Sequence, residues 1–276
     1  MKLFKWLLKQ QSALVITGVL AAGSAHAGPF ILAGTDADDH GSATSTANLD
    51  GWLFMQKSLE NLAASSELTT TNKVVVSLGS NANTTAGNAA QSAFAKSSLA
   101  AAGWTFLQVS DLTSASFDSS IALAGIVMLD SASNVSGGMT SAEDAVLTSK
   151  AAAINSFLGG GGALFSQAGA YGWLSALVPG LVVNGVGDQG LNLTAAGKAA
   201  FPGLTDADLS AGPYHEYFTN VGLIPVLATG QSGALNVVIG AAGGSITNPI
   251  PEPSSIALLA LGLVGVGAAV RKRTAA

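Results

Sequence analysis

The chain has 276 residues and a formal net charge of −5, and only 10% of the residues are charged while 49% are hydrophobic. It contains no cysteine, which excludes disulfides, thiolate catalysis, cysteine-bound zinc, iron–sulfur clusters and a cysteine-linked lipid anchor. The body between the two terminal segments described below has 5 basic and 15 acidic residues, which gives it a net charge of −10. Because the phosphate backbone of a nucleic acid is repelled by such a charge, we expect no nucleic-acid partner.

Residues 1–27 have the pattern of a secretory signal peptide. The positive region contains three lysines, Lys2, Lys5 and Lys9. An apolar run at 13–23 follows, and Ala25 and Ala27 flank a small-x-small cleavage site. We therefore expect the secretion machinery and signal peptidase as partners and a mature chain that begins at Gly28. An amphipathic cytosolic helix is the alternative interpretation.

Apolar runs alternate with helical patterns through the first part of the body. Strands are predicted at 30–34, 73–78, 104–109, 124–129 and 163–166, and helices at 49–62, 89–102 and 141–158. Thr140 and Glu143 have the spacing of a capping box at the start of the last helix.

Near-continuous apolar strands that alternate with helices indicate a parallel sheet covered on both faces. We predict a fold of the α/β class, with a doubly wound, mostly parallel, flavodoxin-like sheet over 28–178. This sheet belongs to one extracytoplasmic domain at 28–244. Short strands at 181–183, 223–227 and 235–239 should complete the edge of the sheet.

Ligands of open parallel sheets bind outside the carboxyl ends of the strands. Four segments should converge there, at 34–41, 79–87, 130–138 and 166–172. The first is the richest in charge, with Asp36, Asp38, Asp39 and His40 on one loop.

Carboxylates at alternate positions suit Ca²⁺, which makes this ion the one cofactor candidate. The spacing excludes an EF-hand, which would need an oxygen ligand at His40 and a glutamate at Ala47. Two interpretations stay open: a metal or ligand site, and a solvated loop whose aspartates cap the backbone.

The part of the chain at 28–178 resembles class I glutamine amidotransferase-like and ThuA-like domains. The resemblance is carried by 126–130, the following helix and the Gly-rich turn and strand at 160–165. It implies a strand-to-helix elbow at 165–169, where amidotransferases place a nucleophilic cysteine in a G-x-C-x-G pattern. Three residues form the corresponding degenerate elbow here, Ser166, Gln167 and Gly169. Because Gln167 occupies the nucleophile position and an amide is not a nucleophile, we expect no glutaminase chemistry and no enzyme.

The segment 212–218 contains both His215 and Glu216. Amidotransferases carry a histidine and a glutamate late in the chain, separated by one residue, whereas here they are adjacent. Adjacent side chains diverge on a strand, so the same dyad is not expected. One interpretation is an amphipathic edge with a solvated His215. Our sharper hypothesis is that His40 and His215 approach each other across the strand ends, with Asp36, Asp38 and Glu216, in one acidic pocket.

The C-terminal part, 245–276, combines a short linker with three ordered features. The first is the tripeptide Pro251, Glu252 and Pro253, and the last is the basic cluster Arg271, Lys272 and Arg273. Between them, 254–270 carries no charge and reaches the lower length limit for a transmembrane helix. Because basic clusters favour the cytoplasmic side, the body should lie outside. A simple tail anchor is the alternative.

This arrangement resembles the PEP-CTERM sorting signal, a segment also labelled the ice-binding protein C-terminal domain. The resemblance covers 249–273 and implies processing by an exosortase, an integral-membrane cysteine protease-like transpeptidase, in Gram-negative bacteria that make exopolysaccharide. It implies a protein that is exported through the inner membrane, held there transiently and then placed at the cell surface or in the extracellular matrix.

Three hypotheses for the body follow. In the first, the body is a non-catalytic α/β binding module with exopolysaccharide as a partner. In the second, it is a hydrolase of extracellular polysaccharide that uses the loop 36–40 with His215 and Glu216. In the third, it is a calcium-stabilised adhesin that needs only the acidic loop.

Overall fold

A computed structural model describes residues 28–132, 136–169 and 171–240, which belong to one compact unit. The predicted signal peptide at 1–27 and the predicted sorting segment at 245–276 lie outside these ranges. In the part of the chain that is described, no helix has the length and apolar character needed to cross a membrane. The predicted span at 254–270 is not within that part.

The described strands have the following bounds: β1 (Phe30–Ala33), β2 (Gly41–Ala43), β3 (Asn48–Leu49), β4 (Val74–Leu78), β5 (Thr105–Val109), β6 (Ile126–Leu129), β7 (Ala163–Ser166), β8 (Val182–Asp188), β9 (Leu191–Leu193), β10 (Tyr214–Thr219), β11 (Val226–Gly230) and β12 (Asn236–Gly240). The helices are α1 (Asp50–Ala64), α2 (Thr85–Ala95), α3 (Ser98–Ala101), α4 (Ser114–Ile121), α5 (Ser141–Ser149), α6 (Ala151–Gly159), α7 (Leu174–Leu177), α8 (Ala195–Ala200) and α9 (Asp206–Leu209).

Five parallel strands form one side of the sheet, in the spatial order β5-β4-β6-β7-β1, with β5 at the edge. All residues of β1, β6 and β7 are buried, so both faces of these strands are covered. The predicted α/β class with a mostly parallel sheet is confirmed, and the arrangement is compatible with a flavodoxin-like fold. The carboxyl ends of the parallel strands lie along one edge, which is where the loops that follow them meet.

The chain after 179 adds an antiparallel extension to this sheet. Strand β12 pairs with β1, β10 pairs with both β12 and β8, and β11 connects β12 to β9. The predicted short strands are present with shifted bounds. Because β12 lies directly beside β1, this region extends the sheet from the middle of the fold and brings 214–219 next to the end of β1.

Several helices begin with a threonine whose side chain accepts a backbone N–H of the first turn. These threonines are Thr84, Thr113, Thr140, Thr194 and Thr205. The capping box predicted at Thr140 is confirmed, because Glu143 Oε2 in return accepts the N–H of Thr140 at 2.8 Å. Glu143 Oε1 also accepts the N–H of Leu112 at 3.1 Å, which ties the loop after β5 to α5.

Two helices predicted as continuous are each divided. The run at 89–102 becomes α2 and α3, because Ser97 caps a new helix by accepting the N–H of Leu99. The run at 141–158 is interrupted at Lys150, whose ψ of 11° departs from helical geometry. Lys150 Nζ pairs with Asp118 Oδ2 at 2.6 Å and lies 5.8 Å from the centre of the Phe117 ring. A tertiary contact therefore outweighs the helical pattern at that point.

Candidate functional site

The loops after the parallel strands and the start of β10 enclose an open cleft of about 500 Å³. We call it the strand-end cleft. It is lined by Asp36, Asp39, His40, Ser131, Ala132, Ala168, Gly169, Gly185, Pro213, His215 and Glu216. Three of the four segments expected to converge contribute to this lining. The segment 79–87 does not, although Ser80 reaches the buried layer beneath the cleft.

Asp36 is the centre of the charged groups in the cleft. Its Oδ2 lies 3.1 Å from His215 Nε2 and 3.4 Å from His40 Nε2, so the expected approach of the two histidines is observed. Asp36 is only 9% exposed, and its Oδ1 is buried without a hydrogen-bond partner among the described residues. Burial raises the pKa of the Asp36 carboxyl, and the two imidazoles oppose the rise.

A β-bulge brings both His215 and Glu216 to the cleft. The pairing of β10 with β8 shifts register between Tyr214 and Glu216. The N–H groups of His215 and Glu216 both donate to the carbonyl of Gly34, at 2.7 and 3.1 Å. In a regular strand these side chains would point to opposite faces, and the bulge removes that alternation. The expectation that the two side chains diverge is therefore wrong for the cleft, which both of them line.

Gly34, directly after β1, permits the chain to approach β10 this closely. A Cβ atom at this position would lie 1.9 Å from the carbonyl oxygen of Glu216. Only a residue without a side chain can approach another backbone so closely. The position of β10 at the cleft thus depends on a glycine at the end of the first strand.

Asp36 and Asp38 are buried, at 9% and 0% exposure, so the loop is not solvated at these two positions. The other part of that interpretation, an aspartate that caps the backbone, does describe Asp38. Asp38 Oδ2 accepts the N–H of Ser131 at 3.0 Å, while its own N–H donates to Gln167 Oε1 at 3.1 Å. Burial raises the pKa of Asp38 to about 6, and the charge of Asp36 adds to the rise against the bonds from Ser131. Asp38 therefore fixes the loop from beneath and does not line the cleft.

Asp130, at the end of β6, is a second fully buried carboxylate that we did not single out from the sequence. Its Oδ2 accepts the hydroxyl of Ser77 at 3.3 Å, and its Oδ1 has no hydrogen-bond partner in the described structure. Burial raises its pKa well above the ordinary value, and the neighbouring Asp38 raises it further. An aspartate that directly follows an apolar strand is the one sequence signal that could have drawn attention to it.

The degenerate elbow has no nucleophile geometry. The left-handed residue is Gly169, with φ of 93°, and Gln167 is not among the described residues with positive φ. Gln167 and Ser166 are fully buried, and Ser166 Oγ has no hydrogen-bond partner in the described structure. Glu216 Oε2 accepts the N–H of Gly169 at 2.9 Å. The elbow thus holds the carboxylate of Glu216, whose pKa is raised by burial and lowered by this bond.

A second, shallower depression of about 440 Å³ adjoins the strand-end cleft. We call it the side groove. The two share Gly169, Gly185 and Glu216, and the side groove adds Asp144, Tyr171 and Ser175 among others. The hydroxyl of Tyr171 lies 2.8 Å from the carbonyl oxygen of Ala33, which fixes the ring beneath the junction of the two depressions.

Asp36, Asp39 and His40 are the residues best placed to hold a metal ion. Each offers one ligand atom, and these atoms all lie within 4.8 Å of one another. His40 is held by close packing, because a Cβ atom on Gly212 would lie 2.2 Å from His40 Cγ. Whether these groups bind an ion stays a prediction, as does the role of every other residue in the cleft.

The comparisons with known proteins bear on the C-terminus. A family model described as the PEP-CTERM protein-sorting motif matches residues 249–273, the segment singled out above. No curated protein and no solved structure matches the chain, so the resemblance of the body to amidotransferase-like and ThuA-like domains gains no support from them. The chain thus carries a PEP-CTERM protein-sorting motif at residues 249–273.

Proposed function

We propose that the protein is exported through the inner membrane, sorted by an exosortase to the cell surface or exopolysaccharide matrix, and carries a non-catalytic body that binds carbohydrate. The PEP-CTERM motif supports the route. The basic cluster at 271–273 supports the orientation, because positive charge after an apolar segment stays on the cytoplasmic side. The body then meets the sugars outside the cell.

The strand-end cleft carries the binding part of the proposal. Its volume of about 500 Å³ lies within the usual range of about 300–1,000 Å³ for ligand sites. The side groove continues it past Glu216, so an extended chain of sugar units has room in both depressions. The carboxylates and imidazoles that line these depressions can form hydrogen bonds with the hydroxyl groups of a sugar.

The charge of the cleft favours neutral or amine-bearing sugars. Asp36, Asp39 and Glu216 line the strand-end cleft, and Asp144 lines the side groove. The body as a whole has a balance of −10. Uronic acids and sulfated sugars would be repelled by this potential, whereas a sugar amine would be attracted.

Gln167, buried at the position where amidotransferases carry their nucleophile, argues against amide hydrolysis at the elbow. Glycoside hydrolysis would use a pair of carboxyl groups instead. Hydrolysis remains a second candidate because the cleft brings Glu216 and the Asp36–His215 pair together. A carboxyl whose pKa is raised by burial, as that of Glu216 is, is the kind of group that serves as a general acid.

Binding can be tested with the purified full-length protein and short oligomers of a neutral sugar, an amino sugar and a uronic acid. We expect measurable affinity for the first two and none for the third. Glu216→Gln keeps an acceptor for the N–H of Gly169 but removes the charge, and should weaken amino-sugar binding by about 10-fold or more.

The matched control is Asp111→Asn, which removes one charge from an exposed loop and should bind as the wild type does. Preference for the uronic acid, or equal binding by Glu216→Gln and the wild type, would contradict the proposal. Release of shorter oligomers would favour the hydrolase instead.

A further inference from the structure

The donor atoms of Asp36, Asp39 and His40 have the spacing of metal ligands. Atoms bound about 2.0–2.1 Å from a tetrahedral zinc ion lie about 3.3–3.4 Å apart. Asp36 Oδ2 and His40 Nε2 are 3.4 Å apart, and the atoms of all three residues fall within 4.8 Å of one another. Small rotations of the three side chains on an unmoved backbone would complete the set.

The second observation is the unpaired Oδ1 of Asp36. The side chain is 13% exposed and its Oδ2 contacts His215, but its Oδ1 is buried and has no hydrogen-bond partner among the described residues. A buried acceptor without a partner is unfavourable, and an ion or an ordered water can supply the missing contact. A cavity of about 10 Å³ lined by Asp36 and His40 adjoins the cluster, with room for about one water or ion.

From these two observations we propose that Asp36, Asp39 and His40 form a binding site for one divalent transition-metal ion, with Zn²⁺ as its type. Ca²⁺ prefers a shell of six to eight oxygen ligands, whereas an imidazole among the ligands suits zinc and related ions. The proposed ion differs in chemical class from the Ca²⁺ expected from the sequence. It does not depend on the carbohydrate proposal.

The loop that carries the ligands is fixed before any ion binds. The N–H of Asp39 donates to the carbonyl of Asp36 at 3.0 Å, and the N–H of Gly51 donates to that of His40 at 2.9 Å. The indole N–H of Trp52 donates to the carbonyl of Asp38 at 3.2 Å. Fixed ligands lose little conformational freedom on binding, which favours affinity.

His215 orients the site. Its Nε2 lies 3.1 Å from Asp36 Oδ2, so its N–H can donate to this carboxylate and hold it in place. Groups that hydrogen-bond to metal ligands commonly change affinity by about 10- to 100-fold when they are removed. His215 is therefore a positioning residue. With three protein ligands, the ion keeps at least one position for a water or for a ligand in the cleft.

The test is calorimetric titration of the purified, tag-free full-length protein with Zn²⁺, and separately with Ca²⁺. We expect one Zn²⁺ per chain with a dissociation constant in the micromolar range or tighter, and no competition from millimolar Ca²⁺. His40→Ala and Asp39→Asn should each weaken Zn²⁺ binding by about 100-fold, and His215→Ala by about 10-fold, with partial recovery in His215→Gln.

A glycine pair separates ligand position from ligand identity. Gly212→Ala should displace the His40 ring and weaken Zn²⁺ binding, because its Cβ has no space. Gly187→Ala, where a Cβ would meet nothing within 4 Å, should bind as the wild type does. Circular dichroism of the metal-free proteins identifies any variant that fails to fold. A variant that fails to fold is replaced in the titration by the conservative variant His40→Gln. Absence of Zn²⁺ binding by the wild type, tighter binding of Ca²⁺, or unchanged binding in folded His40→Ala would each overturn the site. Because no carbohydrate is present, failure of the carbohydrate proposal leaves this result unaffected.

Discussion

Replacing Phe54 with alanine should lower the free energy of unfolding by about 3–5 kcal/mol. Phe54 lies on the buried face of α1 and is fully enclosed. Its ring meets that of Phe165 at 5.7 Å and that of Phe201 at 5.3 Å, both in edge-to-face geometry. These contacts join α1 to β7 and to the chain that follows α8, so the variant loses apolar burial and two aromatic pairs at once.

Equilibrium unfolding in urea, followed by circular dichroism, measures this loss. For a domain of this size, the midpoint of thermal unfolding should fall by about 10 °C. Leu123→Ala provides the control, since Leu123 is 55% exposed and its truncation should change the free energy by less than about 0.5 kcal/mol. A cost below about 1 kcal/mol for Phe54→Ala would mean that this aromatic cluster is not packed as described.

Asp130→Asn should make the protein more stable at neutral pH and should leave its stability near pH 4 almost unchanged. Asp130 is fully buried, and its pKa is raised first by burial and then by Asp38 and Glu143, while bonds from Ser77 and Ser80 lower it. The side chain of Asn keeps the shape and an acceptor for Ser77 but carries no charge.

The sign follows from proton binding. A carboxyl whose pKa is higher in the folded state holds its proton more tightly there, so folding is favoured below the unfolded pKa and is progressively disfavoured as pH rises through the folded pKa. Asp38 contributes in the same direction, over the pH range between the ordinary aspartate pKa of 3.8 and its raised pKa of about 6. The asparagine variant removes the contribution of Asp130, and it also relieves Asp38 of a neighbouring negative charge.

The free energies of unfolding of wild type and variant are to be compared at pH 4, 5.5 and 7. We predict that the difference in free energy of unfolding between the variant and the wild type grows with pH. Asp111→Asn, on an exposed loop, should follow the wild-type curve at every pH. A difference that is constant with pH, or a less stable variant at pH 7, would show that Asp130 is not the buried charge inferred here.

The parallel part of the fold was accessible from sequence because its strands are local signals. The runs at 74–78, 126–129 and 163–166 are almost wholly apolar, and only strands covered on both faces need such runs. Helix α4 was missed because Ser114–Ile121 is rich in serine, a weak helix former, and begins with a capping box that uses Ser116 in place of a glutamate.

The antiparallel part could not be placed in the same way. The pairing of Val238 with Ala33 joins residues far apart in sequence, and nothing local to either strand specifies the partner. The bulge at His215 is likewise set by the carbonyl of Gly34, which accepts two successive N–H groups. From the sequence, His215 and Glu216 could only be assigned to a regular strand, in which adjacent side chains point to opposite faces.

The candidate site was therefore predictable in its residues and less so in its arrangement. The strand-end rule placed Asp36 and His40 at the cleft correctly, because their loop follows the parallel strand β1. His215 lies in the antiparallel strand β10, so its position beside Asp36 depends on pairings that the rule does not cover. The rule also could not distinguish Asp38, buried beneath the loop, from Asp39, which faces the cleft. That difference depends on Gln167 and Ser131, which hold Asp38 from two other segments.

In the proposed route, the body is carried outside the inner membrane and released from its C-terminal anchor. Intact-mass measurement of the protein recovered from cells and from the medium tests this directly. We predict a chain that begins at Gly28 and, in the surface or medium fraction, has lost the residues that follow the motif at 251–253. Recovery of the whole chain from Met1 to Ala276, free in the cytosol of growing cells, would contradict the proposed route.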